Sequence, residues 1–360
     1  MTDICIDIMA LTMVPGLGPV GIKRILDNGN GSRDELKAER ARFGDISPEL
    51  EEELEYMKTE GIRVVCCLDA EYPSRLRDIY DPPPVLYYKG DLESLNGNTA
   101  AVVGSRRCSM YGLRMAEKLS YDIAERGVTV VSGMARGIDQ AAHRGALKCG
   151  GNTIAVLGSG FRHVYPAGSE KLVEDIVSHG AVVTEFSSRT EPSRSTFPRR
   201  NRIVSGMSEG VVVVEASRRS GAMITVDLAL EQGREVFAVP GRADLYTSRG
   251  TNFLIQNGAK LVTCAEDILE EMDMEPVIEQ KKQDIRISGD QGIREISDEE
   301  KAILEVLGIG DPVHLDHIIE SSGADIKKLH HIMLRLEMRG LVKKLAGMRY
   351  VLARKQPVAS

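Results

Sequence analysis

The chain has 360 residues, of which 42% are hydrophobic, 28% charged and only 4% aromatic, with no Trp. This length predicts two or three domains, with cores built mostly from Val, Ile, Leu, Ala and Met. A net charge of -7 excludes a protein coated in positive charge, but leaves room for nucleic acid wherever basic residues cluster. The six cysteines, Cys5, Cys66, Cys67, Cys108, Cys149 and Cys264, include no C-x-x-C pair, so reduced, mostly buried thiols are expected. Asp3 and Asp7 stand where a secretory signal needs basic residues, and no apolar run approaches the ~20 residues of a membrane span. A cytoplasmic protein is expected.

In chain order, residues 1–60 read as a helical head. Within it LTMVPGLGPVGIKRIL, from Leu11 to Leu26, reads as helix, tight turn at Gly16–Gly18, helix. This is the helix-hairpin-helix pattern, whose turn either holds a DNA backbone phosphate or serves packing alone. Residues 61–98 form an extension of the next domain, with a strand-like IRVVCCL followed by a proline-rich connecting segment. There Pro82–Pro84 block helix and central strand alike.

From Thr99 the texture changes to TAAVV, VTVV, TIAVL, AVVT, GVVVV, REVFAV and AKLV. These short β-branched runs are apolar on both faces, as parallel strands covered by helices require. Amphipathic stretches such as YGLRMAEKLSYDIAER separate them. Strand alternating with helix across 99–268 predicts a Rossmann-like α/β domain, a doubly wound and mostly parallel sheet, which with its extension spans 61–269. Residues 270–297 are charged and aperiodic and read as a linker. Three short helices and a hairpin turning at Ala346–Gly347 predict a winged helix over 298–354.

Ligands of such sheets sit beyond the carboxyl ends of the strands. The residues there are Gly104-Ser105-Arg106-Arg107, then Ser132-Gly133-Met134-Ala135-Arg136-Gly137-Ile138-Asp139, then Gly158-Ser159-Gly160. Three glycine-bearing loops that open onto helices make a phosphate site, with Arg106 and Arg136 beside them. From Arg189 to Arg202 the chain carries arginines at 189, 194, 199, 200 and 202 against the single acid Glu191. Such local charge calls for an anionic partner, and Phe197 in its midst suits base stacking. Asp139 and His143, four apart, have a spacing that suits a metal or a general base, but no third ligand is evident, and Asp139 also suits a helix start. Neither G-x-G-x-x-G nor a P-loop follows any strand, so no cofactor is expected.

GSRRCSMYG, SGMARGID, GSGFRHVYP, FPRRNRIVSG, VVVVEASRRSGAMITVDLALEQGREVFAVPG and GTNFLIQNGA, in that order, closely resemble the DprA/Smf family of DNA-processing proteins. The resemblance covers about residues 62–268, and a helix-hairpin-helix or SAM-like head and a winged-helix tail fit it. It implies a homodimer that binds and shields single-stranded DNA and helps load the RecA recombinase during natural transformation. Carried over by position, the DNA site comprises Gly104, Ser105 and Arg106, then Ser132, Gly133, Ala135, Gly137 and Asp139, then Arg194, Phe197, Arg200, Asn201 and Arg202. No enzyme is expected. The alternative is a nucleotide-processing enzyme of the LOG or lysine-decarboxylase-like group, with Glu185 and Glu215 as remnants of its site. Against it, Arg218–Thr225 lacks that group's double glycine and spaced glutamate.

Overall fold

The computed structural model describes residues 2–28, Leu36, 47–272 and parts of 303–352. The chain divides into two compact units, Met1–Ile278 and Glu279–Ser360. In the first, nine strands form one sheet. They are β1 (Arg63–Cys66), β2 (Val85–Gly90), β3 (Thr99–Val103), β4 (Thr129–Ser132), β5 (Thr153–Val156), β6 (Gly180–Thr184), β7 (Gly210–Val213), β8 (Glu235–Ala238) and β9 (Lys260–Leu261). Their spatial order is β1-β2-β6-β5-β4-β3-β7-β8-β9.

From β6 to β9 every pairing is parallel, and these are the strands expected from the apolar runs. β2 was not expected. Pro82–Pro84 precede it rather than interrupt it, so VLYYKG is free to pair antiparallel with β1 and β6. Successive residues of each strand feed opposite cores, as the two-residue period demands. Val131, Val211 and Val213 enter one core, and Val130, Val212 and Val214 the other.

The second of these faces is covered by α5 (Met110–Ala124) and α6 (Ile138–Lys148), and further along by α7 (Glu170–Ser178). The other face carries α4 (Ser74–Arg77), α8 (Thr196–Gly206), α9 (Gly221–Glu231) and α10 (Arg249–Gln256), whereas α11 (Glu266–Glu271) buries Ile268 and Leu269 in the core under α5 and α6. The helical head supplies α1 (Asp3–Thr12), α2 (Pro19–Asn28) and α3 (Ser47–Glu60). Ile8, Leu11, Ile22 and Met57 from these helices share a core with Val64, Val85 and Tyr87 at the β1–β2 edge. All six cysteines are free, but only Cys5 and Cys66 are fully buried, fewer than the composition led us to expect.

In the second unit β10 (Val313–His314), β11 (Val342–Leu345) and β12 (Arg349–Leu352) form a sheet of order β10-β12-β11, with α12 (Leu315–Ser322) following β10. Leu329, Ile332, Met333 and Leu336 are buried at helical spacing in its core. The expected linker from residue 273 on and the turn at Ala346–Gly347 lie outside the described residues. No described helix is long and apolar enough to cross a membrane.

Candidate nucleic-acid interface

The chain builds β3, β4, β5 and β6 outward in one direction, then returns to place β7 on the other side of β3. The loops after β3 and β7 therefore diverge, and a crevice opens between them at the switch point. A cleft of about 730 Å³ occupies it, within the usual range for ligand sites. Its walls include Gly104, Ser105, Arg106, Arg107, Gly133, Ala135, Asp139, Arg194, Phe197, Arg200 and Asn201, together with Ser217, Ser220, Gly221, Ile224, Thr225, Tyr246 and Thr247.

Three loops are bolted together behind the cleft. The Ser105 amide donates to the Glu215 carbonyl at 2.7 Å, and the Ile138 amide to the Ser105 carbonyl at 3.4 Å. The buried Glu215 carboxylate accepts from the Ser109 amide and, at 2.7 Å, from the Ser109 hydroxyl, which in turn accepts from the Gly112 amide as the cap of α5. Glu215 is thus committed to holding the 104–109 loop. Gly137, with φ of 86°, comes so close to this loop that a Cβ would stand 2.4 Å from the Ser105 carbonyl oxygen. Gly137 does not line the main cleft. Neither does Ser132, whose hydroxyl donates to the Val102 carbonyl at 2.6 Å.

Loop amides were expected to cradle phosphate, and two of them are already spent. The Ala135 amide donates to the Asp139 carboxylate at 3.2 Å, and the Ser105 amide serves Glu215. Burial pushes the Asp139 carboxyl up to about 6, against the pull of the Arg200 and Arg106 guanidiniums. Burial likewise lowers Arg200 to about 10, offset by Asp139. Arg200 is 4% exposed, and its Nη1 donates to the carbonyls of Gly133 and of Val156, the latter at 2.7 Å. Gly133 is glycine for this reason: a Cβ there would stand 2.5 Å from Nη1 of Arg200. The Asn201 side chain accepts from Nε of Arg200 at 3.0 Å.

Phe197 is half-buried in the cleft wall, not turned into the core. The Arg106 guanidinium lies 4.7 Å from its ring centroid, that of Arg200 5.9 Å, and the Tyr165 ring 5.7 Å. The ring is thus flanked by two cations, an arrangement chemically suited to stacking a planar ligand.

The 189–202 segment was read as one basic arm. It is the entry to α8, and most of its charge is matched. Arg189 pairs with Glu52 of α3, Arg199 with Glu185 at 3.3 Å, and Arg202 with both Glu185 and Asp81, the latter at 3.2 Å. Arg202, expected at the DNA site, is absent from the cleft wall because its guanidinium is buried in this cluster on another face of α8. Glu185 sits in the same cluster, where burial raises its pKa against the pull of Arg202 and Arg199. Only Arg194 and Arg200 of the segment face the cleft. Nor do Asp139 and His143 form a pair: His143 is fully buried, held neutral by burial with its pKa near 3. Its Nδ1 meets the Thr153 hydroxyl at 2.7 Å. That hydroxyl donates to the Val130 carbonyl, so Nδ1 carries the proton.

The wall from Ser217 to Thr225 and at Tyr246–Thr247 was missed as a binding surface. Its one signal in the sequence was its place after GVVVV, at a strand's carboxyl end.

The family model for DNA recombination-mediator protein A matches residues 63–273, and that for the DprA winged helix domain matches 290–348. The chain is 41% identical over 244 residues to the DNA processing protein DprA of Bacillus subtilis, covering 67% of this chain and 82% of that one. It is 40% identical over 280 residues to the protein Smf of Escherichia coli, covering 77% and 74%. The crystal structure of DprA from Streptococcus pneumoniae superposes with a TM-score of 0.67 at 38% identity, over 75% of this chain and 99% of that one. DprA from Helicobacter pylori, solved to show its mode of binding single-stranded DNA, superposes at 0.53 with 27% identity, over 59% and 95%. With a family model spanning more than half its length and relatives at this identity, the chain belongs to the DprA/Smf family of DNA-processing proteins.

Proposed function

We propose that the protein binds single-stranded DNA in the cleft between the β3 and β7 loops. One observation carries the reading: Phe197, half-exposed with Arg106 against its ring, stands in a cleft whose rim arginines, Arg106, Arg107 and Arg194, make no ion pair among the described residues. A base stacks on the ring while its flanking phosphates meet the rim guanidiniums. Gly104, Ser105, Gly133 and Ala135 line the wall that the strand passes. Arg200 and Asp139 form the charged floor, and Asn201 offers an amide beside it.

In this reading the protein is a cytoplasmic, non-catalytic homodimer that shields incoming DNA and helps load RecA. Family membership supports it, as does the commitment of both candidate acids: Glu215 holds a loop and Glu185 holds arginines. Titration of the full chain with a labelled oligonucleotide and with its duplex, at two salt concentrations, tests the reading. Tighter binding of the single strand, falling steeply with salt, is expected. Equal or tighter duplex binding would move the site to the winged helix. Sedimentation tests the dimer, and release of free base from a nucleoside monophosphate would revive the enzyme alternative.

A further inference from the structure

Next to the main cleft lies a second one, of about 430 Å³. Arg106 and Arg107 line both. The second cleft adds Arg136 and Arg144, with Gln140 between them. Gln140 and Arg144, four apart, share one face of α6, and Arg136, from the loop after β4, joins them in the wall of this cleft. Gln140 donates to the Ser169 hydroxyl at 3.0 Å, which fixes that face against the 166–169 loop forming the opposite wall.

Its walls contain no Asp or Glu. Arg107, Arg136 and Arg144 are exposed, and among the described residues none of their guanidiniums makes an ion pair. The contrast with Arg189, Arg199 and Arg202, each matched to a carboxylate, is sharp. Four guanidiniums gathered in a cleft with no carboxylate in its walls raise a local positive potential that favours a polyanion. Because Arg106 and Arg107 form the shared wall, a chain leaving the first cleft passes directly into the second.

We propose that this cleft is a second seat for the same DNA strand, taking backbone phosphates of nucleotides that lie outside the main cleft. The inference rests on the single-stranded DNA reading above. It makes the binding site two-part: a base platform at Phe197, and a phosphate-binding channel over Arg136 and Arg144 that has no stacking group and no sequence preference.

The test uses the full chain, the variant Arg136→Ala/Arg144→Ala, and oligo-dT of about 5 and about 15 nucleotides, the span of a typical single-strand site. The parent should bind the longer oligonucleotide more tightly and with a steeper salt dependence. The variant should lose about fivefold or more on the longer one, with a slope shallower by about 1.4, the value for two phosphate contacts on single strands. Binding of the shorter one should be unchanged. Equal loss at both lengths, or no loss at the longer, overturns the proposal, as does a parent that binds both lengths equally. Inorganic pyrophosphate separates a DNA channel from a small-anion site. Tight pyrophosphate binding that the variant loses, with oligonucleotide affinity intact, would assign the cleft to a small anion instead. A parent that binds neither oligonucleotide defeats the DNA reading itself, and the second seat falls with it.

Discussion

Arg200 and Arg202 stand two residues apart in α8, and each is 4% exposed. Arg200 faces the cleft, its guanidinium tied to the carbonyls of Gly133 and Val156 and facing the carboxyl of Asp139. Arg202 faces away, clamped by Glu185 and Asp81. Their difference lies in the partner. A carboxylate in contact turns an arginine into a structural bolt, whereas carbonyl dipoles leave its positive charge available to an incoming anion. The same division runs through the whole basic segment and separates Arg189 and Arg199 from Arg194.

The largest expected effect breaks the bolt. Arg202→Ala leaves Glu185 buried without its main partner and should cost about 3–5 kcal/mol, read as a fall in Tm, while the folded fraction still binds DNA. Arg202→Met with Glu185→Leu removes both charges and should recover most of that loss. If Arg202→Ala weakens DNA binding at unchanged stability, the assignment of the two arginines is reversed.

On the cleft side, Phe197→Ala should weaken single-strand binding by about 5- to 150-fold, the value of about 1–3 kcal/mol per stacked base. Arg106→Ala should weaken it too, and being exposed should leave the unfolding free energy within about 0.5 kcal/mol of the parent. Both are read from anisotropy titrations. Smaller again is Gly133→Ala, whose methyl must displace the Arg200 guanidinium. A loss of about 1–2 kcal/mol in stability, accompanied by weaker binding, is expected from chemical denaturation.

Much of this was visible in the sequence, for definite reasons. The parallel strands were legible because strands covered on both faces must be short, β-branched and apolar throughout. The loops after β3 and β4 were legible because glycine beside arginine at a strand's end is uncommon without purpose. The strand order was not legible, since no local pattern records that β7 returns to the far side of β3. β2 hid behind Pro82–Pro84, because a proline run says where a strand cannot be, not that one starts after it. The split between Arg200 and Arg202 was hidden because their partners, Gly133 and Glu185, are remote in the chain, and only the fold brings them near.

The smallest effect concerns pH. The carboxyl of Asp139 is raised from its ordinary 3.8 to about 6, so its protonated form favours the folded state. Its contribution to stability is therefore full below about 3.8 and is lost as pH rises through about 6. Protonation also removes a negative charge from the cleft floor. Single-strand affinity should rise by about two- to fivefold from pH 7.5 to 5.5, and Asp139→Asn should flatten that profile. An unchanged profile in the variant would locate the titrating group elsewhere.

The most direct test of the cleft is photocrosslinking of the full chain to an oligonucleotide carrying bromodeoxyuridine, followed by mapping of the modified peptide. A crosslink at Phe197, lost when Arg106 is replaced by Ala, is the predicted result. A crosslink confined to the winged helix or the helical head, with none in 104–107 or 194–201, would contradict the assignment.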